Sequence, residues 1–321
     1  MTENEYQLLI EEANRKKSDD LVASFMVAMT LTSTLFFLMI SSFSHGIVWF
    51  VAQLFLGINI LQWFFLLHDL GHDKYFSNKK TNIFWGHIAS LFVILPFYPW
   101  KYIHRTHHLW TGFRDKDPTS HLLTMKDIPE KREKIINFCW KYWIPICTLS
   151  FSFDNFWNWN KLQQMYPDKK NKNLFSILFP LFVHLYLIID LGPVPYLKFY
   201  GIAYLVFLIL CDPLLLSQHS AKKQMIAGNN KVSMIHFKDQ EEFTRSLVFP
   251  KYIEMFIMLG FNRHVLHHLI PTLPGYHLVE MNYQDPNAEN WLDWLKSAKK
   301  MKGVELLYSE ELNYKILPID K

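Results

Sequence analysis

The sequence predicts an all-α integral membrane protein: four transmembrane helices in two hairpins, with a cytoplasmic helical cap. Three observations lead there. Apolar runs of spanning length come in two close pairs, basic residues gather on one side of those pairs, and histidines cluster on that same side.

The first pair is the clearer one. Leu21 to Phe43 and Gly46 to Leu67 carry no charged residue. At about 1.5 Å per helical residue, each is long enough to cross a hydrocarbon core of about 30 Å. Only Ser44 and His45 separate them, so both arms open on the same side. The second pair, Leu174 to Ile189 and Phe199 to Leu216, is joined by the turn-forming stretch from Asp190 to Pro195, and its first arm is short. Residues 83–99, 138–153 and 247–261 are apolar too, the last two interrupted by charges such as Lys141, Lys251 and Glu254, and are expected as interfacial or re-entrant helices. The tryptophan-rich stretch from Trp140 to Trp159 fits an interfacial belt.

Orientation follows from the basic residues, which accumulate in cytoplasmic loops beside spans. Arg15 to Lys17, Lys79 with Lys80, Lys131 to Lys134, Lys169 to Lys172 and Lys222 with Lys223 all lie at the open ends of the hairpins, and the closed ends have only Lys198. Both termini and most polar sequence are therefore expected in the cytoplasm. These clusters could steer an acidic protein partner, bind anionic lipid or simply enforce topology.

Composition narrows the function classes. Half of the 321 residues are hydrophobic, yet mean hydropathy is close to zero, so a sizeable water-facing part shares the chain with the spans. A net charge of +4, from 33 basic and 29 acidic residues, argues against a nucleic-acid footprint. The three cysteines, Cys139, Cys147 and Cys211, have neither disulfide-framework nor zinc-knuckle spacing. The polar start is not a cleavable signal peptide, and with no linker or repeat a single domain over 1–321 is expected.

Histidine carries the specific signal. His68 and His72 stand four apart directly after the second span, which puts both rings on one face of a continuing helix. His104, His107 and His108 form a second cluster, and His264, His267 and His268 a third. His219 emerges at the end of the fourth span, a position that mirrors His68. One such cluster is commonly structural, but eight clustered imidazoles and a ninth in register are too many for packing and too many for one ion, so two metals follow. Neutral imidazole suits iron, copper, zinc or nickel, so ligand type alone does not choose among them. His45, His87, His121, His184, His236 and His277 lie outside the pattern and are not expected to ligate.

In this order and around two membrane hairpins, HDLGH, HRTHH and HVLHH resemble the three histidine boxes of membrane fatty acid desaturases. The flanks Trp100 to Gly112 with Asp115 to Pro118, and Asn262 to Pro271 with Pro274 and Tyr276, are similar to the surroundings of the second and third boxes. The resemblance runs from about His68 to Leu278. It implies two irons held by His68, His72, His104, His107, His108, His264, His267 and His268, with His219 matching an extra histidine that follows the last span in many members. It further implies O2 as co-substrate, two electrons per turnover, removal of two vicinal hydrogens from an acyl chain, and a lipid or acyl substrate entering from the bilayer. No His-Pro-Gly-Gly haem motif is present, so a separate electron donor of ferredoxin or cytochrome b5 type is implied. Asp69, Asp117, Asp212 and Asn262 are candidates to orient the imidazoles, since a ligating histidine usually donates its other ring N–H to a carboxylate or carbonyl. A hydroxylase or ketolase of the same superfamily, acting on a carotenoid, sterol or sphingolipid, shares these boxes. A metal transporter or storage protein would instead need ligands inside the spans, where only His184 and Asp212 lie.

Overall fold

A computed structural model of the chain describes residues 1–124 and 128–308. The helices are α1 (Glu3–Arg15), α2 (Asp20–Phe43), α3 (Gly46–Gly71), α4 (Lys79–Val93), α5 (Phe97–Trp110), α6 (Glu130–Lys141), α7 (Ile146–Ser152), α8 (Trp159–Met165), α9 (Lys170–Leu191), α10 (Pro193–Tyr196), α11 (Ile202–His219), α12 (Lys251–Phe256), α13 (His264–Leu269), α14 (Gly275–Leu278), α15 (Trp291–Lys300) and α16 (Gly303–Tyr308). The strands among the described residues are one parallel pair, Leu247–Val248 against Glu289–Asn290. The protein is an all-α membrane protein.

Among the described residues, four helical stretches are long and apolar enough to cross a membrane: Asp20–Phe43, Gly46–Gly71, Pro167–Leu191 and Pro193–His219. They run past the limits expected at charged residues, because Lys170, Lys172 and His68 end an apolar stretch without ending a helix. The last stretch is interrupted at Leu197–Gly201 by a π-helical turn. α3 is buried along most of its length, with Trp63, Phe64, Phe65, Leu66 and Leu67 in the core. α2 and α9 instead present Phe25, Leu35, Phe36, Phe182, Leu185 and Ile189 outward, a surface suited to lipid. Gly57 lets α11 approach α3 closely, since a Cβ there would lie 2.6 Å from Val206.

Residues 83–99 fall in a bent pair: α4 and α5 meet at 102°. Ile94 at φ 50 closes α4 and Pro96 precedes α5, so the chain turns back. The last turn of α4 ends among the spans, where its carbonyls need donors. His184 of α9 reaches Leu91 O at 2.8 Å, Tyr204 of α11 donates to Val93 O at 3.2 Å, and the Tyr200 hydroxyl donates to Phe92 O. His184 thus helps to close the end of α4.

Two expectations need correction. Residues 247–261 are no continuous interfacial helix: after the short strand, Pro250 starts a six-residue α12, and Leu259 and Gly260 both take positive φ beyond it. Residues 138–153 divide between α6 and α7, broken by Trp143 at φ 59 and by Pro145.

Candidate metal centre

Nine imidazoles converge at one end of the bundle, and the helix repeat explains how. Successive residues turn about 100°, so His104 and His108 share a face of α5 while His107 is offset from both. On α13 the pair at this spacing is His264 and His268, with His267 offset. The two helices sort their rings in opposite senses. His68, His72, His104 and His267 form one group, and His107, His219, His264 and His268 the other; in each, one ligand atom per residue lies within 4.8 Å of the rest. His108 joins the first group, its Nε2 lying 3.0 Å from Nε2 of both His104 and His267. His72 Nε2 is 3.1 Å from His104 Nε2, and His219 Nε2 is 3.1 Å from His107 Nε2 and 2.9 Å from His264 Nε2. Two nitrogens bound to one ion at about 2.0–2.1 Å, at tetrahedral or right angles, stand about 3 Å apart.

The opposite ring nitrogens decide the tautomers. His107 Nδ1 lies 2.6 Å from Asp117 Oδ2, and His219 Nδ1 lies 3.1 Å from the Phe243 carbonyl. Both partners accept, so both rings carry their hydrogen on Nδ1 and face each other with Nε2 lone pairs. Such an arrangement is repulsive unless a cation lies between. Protonation is disfavoured around it: burial pushes His72, His264, His267 and His268 well below the ordinary histidine range, aided by neighbouring imidazoles. Nε2 of His68 and of His268 is buried with no hydrogen-bond partner among the described residues. The residues fit a pair of histidine-bound metal ions.

The four candidate orienting residues divide evenly. Asp69 accepts from His68 Nδ1 at 2.9 Å and from the Gly275 N–H at 2.7 Å, so it fixes a ring and the turn after α13 together. Asp117 holds His107, with Thr119 Oγ1 3.1 Å from the same nitrogen. Asp212 touches none of the nine rings: its Oδ1 accepts from Thr148 N at 2.6 Å in the first turn of α7, whose N-cap Pro145 offers no side-chain cap. A carboxylate within a span needs a partner, and here a helix N-terminus supplies it. Asn262 donates to Leu247 O at 2.9 Å and to Glu254 Oε1 at 3.1 Å, bracing the loop before α13 instead of an imidazole.

Two contributors carry no motif. One is the Phe243 carbonyl on His219, and the other is Gln240, whose Oε1 lies 2.9 Å from His268 Nδ1. A cavity of about 340 Å³ opens beside His68, His104, His107, His219 and His264, with apolar walls from Ile103, Phe151, Phe156, Leu215 and Phe261.

The fold and centre define a class: polytopic helical membrane proteins with two histidine clusters that could hold metal ions beside an apolar cavity. The chain belongs to the fatty acid desaturase family, whose model matches residues 21–289. Membership implies an oxidoreductase. Among curated proteins, it is 28% identical over 237 residues to the endoplasmic-reticulum omega-3 fatty acid desaturase of Vigna radiata var. radiata, covering 68% of this chain and 59% of that one. To the chloroplastic sn-2 acyl-lipid omega-3 desaturase (ferredoxin) of Helianthus annuus it is 26% identical, over 74% of this chain and 55% of the relative. To the Delta(12) fatty acid desaturase fat-2 of Caenorhabditis elegans it is 25% identical, over 77% and 65%. The chain thus spans less than two thirds of these relatives' length.

Proposed function

We propose that this chain is an O2-dependent di-iron desaturase that introduces a double bond into the acyl chain of a lipid or acyl thioester. The observation that carries the reading is the pair of facing Nε2 lone pairs on His107 and His219, within a set of nine rings that sorts into two groups. Bound iron would supply an oxidising power toward an unactivated C–H bond that no side chain possesses.

The protein's part is placement. His68, His72, His104, His108 and His267 would hold one ion, and His107, His219, His264 and His268 the other. Asp69 and Asp117 keep hydrogen on the outer nitrogens of His68 and His107, which aims their Nε2 lone pairs inward. The apolar walls at Ile103, Phe151, Phe156 and Leu215 would receive a methylene chain and exclude water from it. Trp100, stacked on His104 at 5.2 Å and 16°, also lines the cavity and would limit how far the chain can shift past the rings. The electrons would come from a separate carrier of ferredoxin or cytochrome b5 type, consistent with the ferredoxin in the name of the Helianthus relative. The basic residues at the histidine end favour a cytoplasmic location for that end under the positive-inside rule.

Expression in a host of simple lipid composition, followed by mass analysis of its lipids, tests the reading. A new product two hydrogens lighter is expected, lost in His107→Ala and in His267→Ala. A product heavier by one oxygen would favour hydroxylation, and a product unchanged in both variants would refute the site.

A further inference from the structure

The 3₁₀ turn Phe237–Phe243 lies outside every histidine motif, yet it touches three helices that carry the rings. Gln240 sits at its centre and is fully buried. Its Nε2 donates to the His108 carbonyl of α5 at 2.8 Å, and its Oε1 lies 2.9 Å from His268 Nδ1 of α13. The first contact fixes the second. A carbonyl only accepts, so the amide nitrogen must face His108 and the oxygen must face His268. His268 therefore carries its hydrogen on Nδ1 and leaves Nε2 as a bare lone pair, the same atom that is buried without a partner. Thr111 Oγ1, 3.5 Å from His268 Nδ1, donates to the His107 carbonyl at 2.7 Å and so offers that nitrogen an acceptor too.

The rest of the turn supports this placement. Thr244 Oγ1 donates to the Gln240 carbonyl at 3.0 Å, and the Phe243 carbonyl accepts from His219 at 3.1 Å. Arg245, two residues on, donates to the carbonyls of Ser217 at 2.8 Å and Ser220 at 3.0 Å around the end of α11. Ser246 Oγ accepts from Val265 N at 3.1 Å in the first turn of α13. One short segment thus ties together α5, the end of the last span and the third box.

The geometry points to Gln240 as a positioning residue for the second group, one that sets the tautomer of His268 and locks α5 to α13. This rests on the reading of the nine rings as a two-iron centre. It makes the two ions separable: loss of the Gln240 amide weakens the group of His107, His219, His264 and His268 and leaves the group containing His68 and His72 intact. Removing an orienting partner of a metal-bound imidazole lowers affinity about 10- to 100-fold.

The test uses the purified full chain loaded anaerobically with ⁵⁷Fe(II), read by elemental analysis, chelator titration and Mössbauer spectroscopy. Gln240→Met keeps the volume and removes both hydrogen bonds; it is expected to retain one iron at wild-type affinity and to release the other at about 10- to 100-fold lower chelator concentration. Gln240→Glu gives up the donor to His108 but keeps an acceptor for His268; it is expected to hold both irons, with one quadrupole doublet shifted and the other unmoved. Both irons retained at unchanged affinity in Gln240→Met would overturn the proposal. Should Gln240→Met fail to fold, Gln240→Glu decides: neither doublet shifted, or both shifted alike, also overturns it. A wild-type chain that takes up no iron would instead overturn the two-iron reading itself.

Discussion

At the histidine end of the bundle, α3, α5, α11 and α13 meet through nine imidazoles, whereas at the opposite end α2, α3 and α11 are joined by the amide of Gln53. Gln53 donates to Ser41 Oγ at 3.0 Å and to the Phe199 carbonyl at 3.1 Å, and accepts from Ala203 N at 3.0 Å. Phe199 and Ala203 flank the end of the π-helical turn, where regular helical pairing is interrupted. Trp49 adds a bond to the Lys198 carbonyl at 3.2 Å. Every bond at that end joins a donor to an acceptor. The histidine end brings lone pairs face to face, a repulsion that a bound cation would relieve. One end is a self-sufficient scaffold, and the other is a socket the scaffold keeps in shape before any ion arrives.

Breaking the socket should leave the scaffold alone. Asp117→Ala removes the acceptor that orients His107 and should weaken iron binding at the second group about 10- to 100-fold, read by chelator titration, with little change in the thermal midpoint of the metal-free chain. A matching loss of that midpoint would mean Asp117 holds the fold and not the ring. Breaking the scaffold should do the reverse. Gln53→Leu strands the Ala203 N–H in an apolar setting and should cost about 1 kcal/mol of stability in detergent, with iron content unchanged. Iron lost in parallel would show that the two ends are one cooperative unit.

The same contrast explains what could be read from the chain. The three boxes were legible because their chemistry is local: spacings of three and four place imidazoles on one helical side whatever the tertiary fold. Asp69 and Asp117 were legible for a similar reason, since each lies within ten residues of the ring it orients. Gln240 and the Phe243 carbonyl were not, because they reach His268 and His219 only through tertiary packing, and a backbone oxygen leaves no trace in residue type. Asp212 shows the opposite failure. A carboxylate in a span demands a partner, and composition could not tell an imidazole from the open N-terminus of α7. The bend between α4 and α5 falls within a stretch expected as interfacial or re-entrant, but the donors that make it tolerable, His184, Tyr200 and Tyr204, come from helices far along the chain.

Nine histidines are proposed to hold two iron ions that the desaturation requires. Its most direct test is the iron content of the purified, catalytically competent chain, compared with that of His107→Ala and His267→Ala, which remove one ring from each group. One iron per group is expected in the wild type, and a deficit in each variant together with loss of product. A chain that forms the double bond with zinc alone, or with no bound metal, would contradict it.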